Sequence, residues 1–182
     1  MIDDEQVMAQ VQEGRVEMLA LLFERHHVRL YNFFLRLSGD RSLSEDLVQE
    51  VFLRILKYRR SFHGDSKFST WMYQIGRNAH IDHLRCRRPE VSLDSAWEQE
   101  ASPQPQPAQQ AESEQQADLL ARALERLPLR KREVLLLSRF QGLKYEEIAG
   151  LLACNVQSVK VQVHRALKDL RRHYLGLQGG NG

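Results

Sequence analysis

The side chains in this sequence whose type and spacing can do chemistry are cations and amides in rows, not paired nucleophiles and bases. Lys160, His164 and Arg165 stand at i, i+4 and i+5, within one and a half helical turns, so one helix face can carry all three into a single major groove. Ser158, Val161 and Lys168 lie in the same stretch, where Val161 either puts an apolar group in place of a phosphate-binding hydroxyl or contacts a thymine methyl. A second row lies earlier. At 100° per residue Gln74, Asn78, Ile81 and Arg85 share a stripe beside an apolar one, with Arg77, His80 and Arg87 on the opposite flank. A polar stripe bounded by cations suits a nucleic-acid backbone and base edges. Just upstream, Tyr58-Arg59-Arg60-Ser61-Phe62-His63-Gly64-Asp65-Ser66-Lys67-Phe68 is a basic, aromatic loop of the composition that holds an unstacked base between rings and guanidinium planes.

The elements that must position these rows read as helices, because apolar residues recur at three and four and not at two. Met18, Leu19, Leu22, Phe23, His26 and Leu30 open one stripe, which Phe33, Phe34 and Leu37 continue to a break at Ser38-Gly39-Asp40. Ser44 is the expected N-cap of the next helix, with Glu45 and Asp46 in its first turn and Leu47, Val48, Val51, Phe52 and Ile55 on its buried face. A third helix begins near Phe68 and buries Phe68, Trp71, Met72, Ile75 and Ala79. Farther on, Leu119 to Leu127 stops at Pro128, and Arg130 to Phe140 stops at Gln141-Gly142. Tyr145 to Leu152, a tight turn at Ala153-Cys154-Asn155, and Val156 to Tyr174 then make a helix-turn-helix pattern, with small Ala149 permitting close crossing and Val159 anchoring the second helix.

The expected fold class is all-α: two small helical domains joined by a flexible linker, the second domain with a helix-turn-helix. Residues 89 to 117 hold four of the five prolines and no lysine or arginine, a composition that buries too little apolar surface to offset ordering entropy. A flexible chain of that length spans roughly 30 Å. Charge divides at the same places. Residues 1–56 carry 6 basic and 10 acidic side chains, residues 57–88 carry 8 and 2, residues 89–118 carry 0 and 7, and residues 119–182 carry 12 and 5. Two basic blocks flanking an acidic connector suit a polyanionic partner. The 182 residues are too few for a large barrel enzyme, and no apolar run approaches the ~20 residues of a membrane helix, so no membrane insertion is expected. Met1 to Gln6 lacks the basic region and apolar run of a secretory signal, and Cys86 and Cys154 lack metal-ligand spacing, which together point to a reducing cytoplasm.

Asp46-Leu47-Val48-Gln49-Glu50-Val51-Phe52, then Phe68-Ser69-Thr70-Trp71-Met72-Tyr73-Gln74-Ile75-Gly76-Arg77-Asn78-Ala79-His80-Ile81-Asp82, then Leu127-Pro128-Leu129-Arg130-Lys131-Arg132-Glu133-Val134 with the helix-turn-helix after it, resemble a bacterial sigma factor. The short two-domain layout is similar to the extracytoplasmic-function group of the sigma-70 family. The resemblance covers about residues 15–88 and 117–175. It implies an initiation subunit of RNA polymerase, not an enzyme, acting without catalytic residues, metal or cofactor. Residues 1–88 would be a region 2-like domain, 89–117 the linker, 118–176 a region 4-like domain and 177–182 a tail. Asp46, Gln49, Glu50 and Arg54 would dock on the coiled coil of the beta-prime clamp of core RNA polymerase. Lys67, Trp71, Gln74, Arg77, Asn78, Asp82 and Arg85 would engage the minus-ten element of promoter DNA and open it. Ser158, Lys160, Val161, His164, Arg165 and Lys168 would read the minus-thirty-five element, in a domain that also binds the beta flap. An anti-sigma factor clamping the two domains is a further implied partner.

Departures from the family pattern fall in the helix-turn-helix. Ala153 stands at a turn position where glycine is usual, with a strain cost if the turn needs positive φ, Gln157 where glycine is common, and Val161 where serine is frequent. Two other readings are open at this point. A conventional helix-turn-helix regulator that binds duplex DNA without polymerase explains residues 119–175 but leaves the first domain idle. Asn78-Ala79-His80-Ile81-Asp82-His83 is similar to the His-x-His-x-Asp-His metal site of metallo-hydrolases, with asparagine for the first ligand, but it sits in a helical pattern where that site needs a strand-to-loop context.

Overall fold

The computed structural model describes residues 2–86 and 108–179. Among them eight α-helices succeed one another, with no strand. The first half holds α1 (Asp4–Gln12), α2 (Leu19–Ser38), α3 (Arg41–Tyr58) and α4 (Phe68–Cys86). The second holds α5 (Ala108–Glu125), α6 (Leu129–Leu135), α7 (Tyr145–Leu151) and α8 (Val156–Gly179). The all-α, two-domain expectation agrees with this architecture.

Helices α2, α3 and α4 pack because each presents one apolar stripe to the others. Leu22, Leu30, Phe33, Phe34, Val51, Ile55, Phe68 and Met72 are fully buried between them. Gly39, at φ 75°, ends α2 in the left-handed conformation that glycine adopts without steric cost. Asp40 then caps α3, its carboxylate accepting from the Leu43 amide at 3.0 Å. The cap is therefore Asp40 and not Ser44. Ser44 lies one turn inside, fully buried, and its hydroxyl donates to the Asp40 carbonyl. Where α4 crosses the pair, a Cβ on Gly76 would stand 3.0 Å from Phe34 Cζ and 3.5 Å from Val51 Cγ2, so the close approach depends on glycine.

Helix α1 was not foreseen from the sequence, whose first apolar stripe opens at Met18. Its start is a capping box, with the Gln6 amide donating to Asp3 Oδ1 at 2.7 Å and the Asp3 amide to Gln6 Oε1 at 3.1 Å. Only Val7, Met8 and Val11 are apolar and buried on it, too few for periodicity to stand out. Its polar side chains set up α4 and the loop before it. Glu5 accepts the Phe68 amide at 2.8 Å, and Gln12 Nε2 donates to the carbonyls of Arg59 and Phe62 at 2.8 and 2.6 Å. Asp4 joins Arg25 at 2.7 Å and buried His26 at 2.6 Å.

In the second half, α8 is the central helix against which α5, α6 and α7 pack, through Val159, Val163 and Ala166. It runs to Gly179, past the Tyr174 expected as its end. Helix α5 starts at Ala108, inside the span assigned to the linker. The prolines of that span end at Pro107, and the residues beyond it, Ala-Gln-Gln-Ala-Glu-Ser-Glu-Gln-Gln-Ala, are almost wholly good helix formers. The rest of the assigned linker, residues 89–107, lies outside the described residues. After α6 the chain makes one π-helical turn, Leu136–Phe140, closed by the Gln141 amide on the Leu136 carbonyl at 2.9 Å. The turn between α7 and α8 puts Ala153 at φ 51°, and Ala153 is the one non-glycine residue with positive φ among the described residues.

The halves are not apart. One apolar cluster runs through both, from Val7 to Ala166, beside a small second one of Leu119, Ala123 and Leu177, with α2 meeting α5, α6 and the π turn, and α4 meeting α7. Arg132 Nη1 donates to the Leu37 carbonyl at 2.7 Å across the junction, and the Arg36 guanidinium lies 4.7 Å over the Phe140 ring.

Candidate nucleic-acid and polymerase interfaces

Helix α8 keeps its six candidate residues on one face because its apolar residues occupy the other. Val159, Val163 and Ala166 turn inward, and Lys160, Val161, His164, Arg165 and Lys168 are all exposed, with Ser158 half-buried at the edge. Asn155 caps the helix, accepting the Ser158 amide at 2.7 Å, which fixes where its first turn points. No ion pair engages Lys160, Arg165 or Lys168 among the described residues, so their charge is available to phosphate. Gln157, Ser158, Val161, Gln162 and Arg165 line one shallow concavity with Asn155. Gln162 was absent from the sequence-based set, although its amide is a base-edge group two turns from Asn155.

On α4 the candidate residues divide. Lys67, Trp71 and Gln74 line one cleft of about 570 Å³, whose opposite wall is Glu146, Glu147, Gly150 and Leu151 from α7. Trp71 is half-buried, stacked at a tilt against Phe62 with ring centres 5.2 Å apart, so it has one side in the core and one on the cleft. Asn78 and Arg85 are exposed farther along the same helix. Arg77 turns to the other flank, where Nε stands 3.1 Å from Glu133 Oε1 of α6. Burial raises the Glu133 carboxyl above its ordinary value, and the Arg77 charge works against that rise. His80, expected beside Arg77 on a cationic flank, is instead buried and pushed down to about 4 by desolvation, then by His83 and Arg132, so it is neutral at pH 7. The flank is outside by helix arithmetic alone, and the second half covers it.

Asp82 borders the open stripe, with 48% of its side chain exposed. Its carboxylate binds Arg54 Nη1 at 2.8 Å, and Arg54 Nε binds Glu50 at 2.6 Å, so α3 and α4 share a three-membered ion network. Glu50 first, and then Asp82, hold the Arg54 guanidinium more firmly charged. The residues assigned to polymerase and those assigned to the minus-ten strand thus meet here. On α3, Asp46, Gln49 and Leu53 are exposed on one face, and Leu53, at 64% exposure, is the most exposed large apolar side chain described. Periodicity could have found Leu53, since it falls outside the buried stripe of Val48, Val51, Phe52 and Ile55. The segment 78–83 is regular helix with Asp82 committed to Arg54, and among the described residues no group of three or more His, Cys, Asp or Glu side chains could hold a metal.

Comparison with known proteins matches two stretches of the chain. The family pattern described as Sigma-70 region 2 matches residues 22–90, and that described as Sigma-70, region 4 matches residues 117–170. The RNA polymerase sigma-H factor of Pseudomonas aeruginosa is 31% identical over 172 residues, covering 90% of this chain and 89% of its own. The ECF RNA polymerase sigma-E factor of Escherichia coli is 32% identical over 176 residues, covering 91% of each. Among solved structures, CnrH in complex with the cytosolic domain of CnrY superposes with a TM-score of 0.70 at 23% identity, over 98% of this chain and 99% of that one. The sigma factor RpoE of Bartonella quintana in complex with the anti-sigma factor NepR gives 0.65 at 23% identity, over 85% and 94%. These two likenesses show the fold.

Proposed function

The chain belongs to the sigma-70 family, in its extracytoplasmic-function group, and from that membership we propose how its three faces divide the work of initiation. The protein binds core RNA polymerase and directs initiation at promoters through minus-thirty-five and minus-ten recognition and DNA opening. No catalytic chemistry of its own is required. The α3 face with Asp46, Gln49, Glu50 and Arg54 docks on the beta-prime clamp helices, and exposed Leu53 adds an apolar anchor within that polar rim. The second half engages the beta flap and lays α8 in the major groove of the minus-thirty-five element, where Arg165 reads a guanine edge, Lys160, Ser158 and Lys168 hold phosphates, His164 lies on the same face, and Val161 meets a thymine methyl.

The α4 face and its preceding loop take the non-template strand of the minus-ten element once it is unstacked. Lys67 and Arg85 hold backbone, Asn78 and Gln74 offer amides to base edges, and the open side of Trp71 gives a stacking surface. Asp82 holds Arg54 here and keeps half of its side chain open toward the strand. An anti-sigma factor is a further partner of the protein on this reading, as NepR is for the sigma factor RpoE of Bartonella quintana, and its place of action is the cytoplasm, where the polymerase is.

The exposed α3 face, with Gln49 and Leu53 free of intramolecular partners among the described residues, carries this reading over a polymerase-independent regulator. Placing positive charge on this face by Gln49→Lys with Glu50→Lys should weaken binding to core polymerase at moderate salt and leave duplex binding by the second half unchanged. Unaltered core affinity would remove the docking face. Asn78→Ala should impair opening, with a defect that shrinks on a template already melted at the minus-ten element.

A further inference from the structure

The basic, aromatic segment between α3 and α4 is held from outside itself. It leaves α3 through one 3-10 turn, Arg59–Ser61, and enters α4 at Phe68. Both of its ends are tied to α1. Gln12 Nε2 donates to the carbonyls of Arg59 and Phe62 at 2.8 and 2.6 Å, which occupies both hydrogens of its amide. Glu5 accepts the Phe68 amide at 2.8 Å, satisfying from a different helix one of the free donors at the start of α4. Between these ties His63, Gly64, Asp65, Ser66 and Lys67 are all exposed, so the ends are fixed and the tip is open. The ties reach the aromatic surface as well. Phe62, whose carbonyl takes one of the Gln12 bonds, is buried, and its ring centre lies 5.2 Å from that of Trp71 and 6.2 Å from that of Phe68. Trp71 therefore rests on a residue that α1 holds. Helix α1 is itself anchored, with Val7, Met8 and Val11 fully buried and Asp4 bound to Arg25 and His26 of α2, and its first residues border one surface hollow with Lys67 and Ser69. The stretch that matches Sigma-70 region 2 begins at residue 22, so α1 precedes it.

We propose that Gln12 and Glu5 are positioning residues for base capture: from α1 they hold both ends of the segment 59–68, and with it Phe62 and Trp71, in the shape that receives an unstacked base of the minus-ten strand. A loop already held in its binding shape gives up less freedom when the strand arrives, so the ties act on affinity for the strand. They do not touch the α3 face assigned to polymerase or the α8 face assigned to the upstream element. Without the Gln12 amide two carbonyls lose a donor, and the entry to the loop is free to shift. The inference rests on the assignment of this segment and α4 to the minus-ten strand, whereas the ties themselves do not.

Holoenzyme assembled from core polymerase and the full chain is titrated with a single-stranded oligonucleotide carrying the minus-ten sequence of a promoter it uses, and with a set in which each base in turn is replaced by an abasic site. For the parent chain one position should stand out, where loss of the base costs about 10-fold in affinity. In Gln12→Met, which fills the same space without a donor, the intact strand should bind about 10-fold more weakly and the abasic cost at that position should fall below about 2-fold. Core affinity and the cost of abasic sites elsewhere should not change. Gln12→Glu, of the same shape and again without a donor, should repeat this result, and circular dichroism of the free chains checks that each variant is folded. Glu5→Gln keeps an acceptor for the Phe68 amide and should behave as the parent, whereas Glu5→Met should follow the Gln12 variants. Parental binding by both Gln12 variants overturns the inference. A loss spread evenly over intact and abasic strands also overturns it, because mere support of the fold would weaken all of them alike. If no abasic site matters to the parent chain, the assignment of the segment to the minus-ten strand has failed, and the inference falls with it.

Discussion

Arg165 and Lys168 occupy one face of α8, one turn apart, yet they should fail differently when removed. Arg165 borders the concavity that Gln157, Val161 and Gln162 share, where its planar fork can meet the two acceptors of a guanine edge. Arg165→Ala should cost about 1 to 3 kcal/mol and relax preference at one upstream promoter position, with core binding intact. Lys168 lies outside that concavity, and if it meets phosphate, as proposed, Lys168→Ala should weaken binding to all sequences alike and lower the slope of log affinity against log salt by about 1. Competition binding by the holoenzyme to a set of single-base promoter variants at three salt concentrations separates the two. On α3, Leu53→Asp puts a charge into a surface that gains only by losing water. It should lower core affinity with no change in thermal stability, because the side chain is exposed in the free fold and supports nothing there.

At the scale of elements, α4 and the helix-turn-helix turn each carry a cost that the sequence partly announces. His80 is the test for α4. Its folded value, pushed down to about 4, lies below the ordinary histidine value of 6.5, so the folded chain resists a proton that the unfolded chain accepts. Stability is full above about pH 6.5 and is lost as pH falls toward 4, by up to roughly 3 kcal/mol from this residue. Urea denaturation across that range should show the loss, and His80→Leu should flatten it. Ala153, at φ 51°, holds a backbone conformation that a side chain disfavours, and Ala153→Gly should raise stability by about 0.5 to 1 kcal/mol, measured by the midpoint shift at constant slope. In the sequence that strain is only a condition, since alanine stands where glycine is usual, and the φ of 51° meets the condition. Helices α2, α3, α4 and α8 were legible because each carries an uninterrupted apolar stripe. Helix α1 was not, because Val7, Met8 and Val11 alone make no stripe. The cap of α3 was misplaced because Ser44 and Asp40 are both good caps, and only burial of Ser44 against the core decides between them. For α5, composition alone ran the acidic glutamine-rich segment into one unit with the prolines before it. Arg77 and His80 mark the deeper limit: helix arithmetic tells which flank of α4 faces away from its own domain, and nothing in one helix tells that another domain covers that flank.

For the whole molecule, the three faces divide the work of directing a polymerase to two promoter elements. The second half packs on the Arg77 and His80 flank of α4, while Gln74, Asn78 and Arg85 and the outer faces of α3 and α8 stay exposed. Specificity then belongs to the assembly, since only the polymerase holds both halves at the separation of two promoter elements. The most direct measurement is reconstituted transcription with purified core polymerase on a genomic library, sequencing the start sites. Core with this chain should initiate at a limited set of sites that share an upstream and a downstream element at fixed spacing, and core alone should not use them. Initiation no different from core alone, together with tight sequence-specific duplex binding by the free chain, would contradict the account.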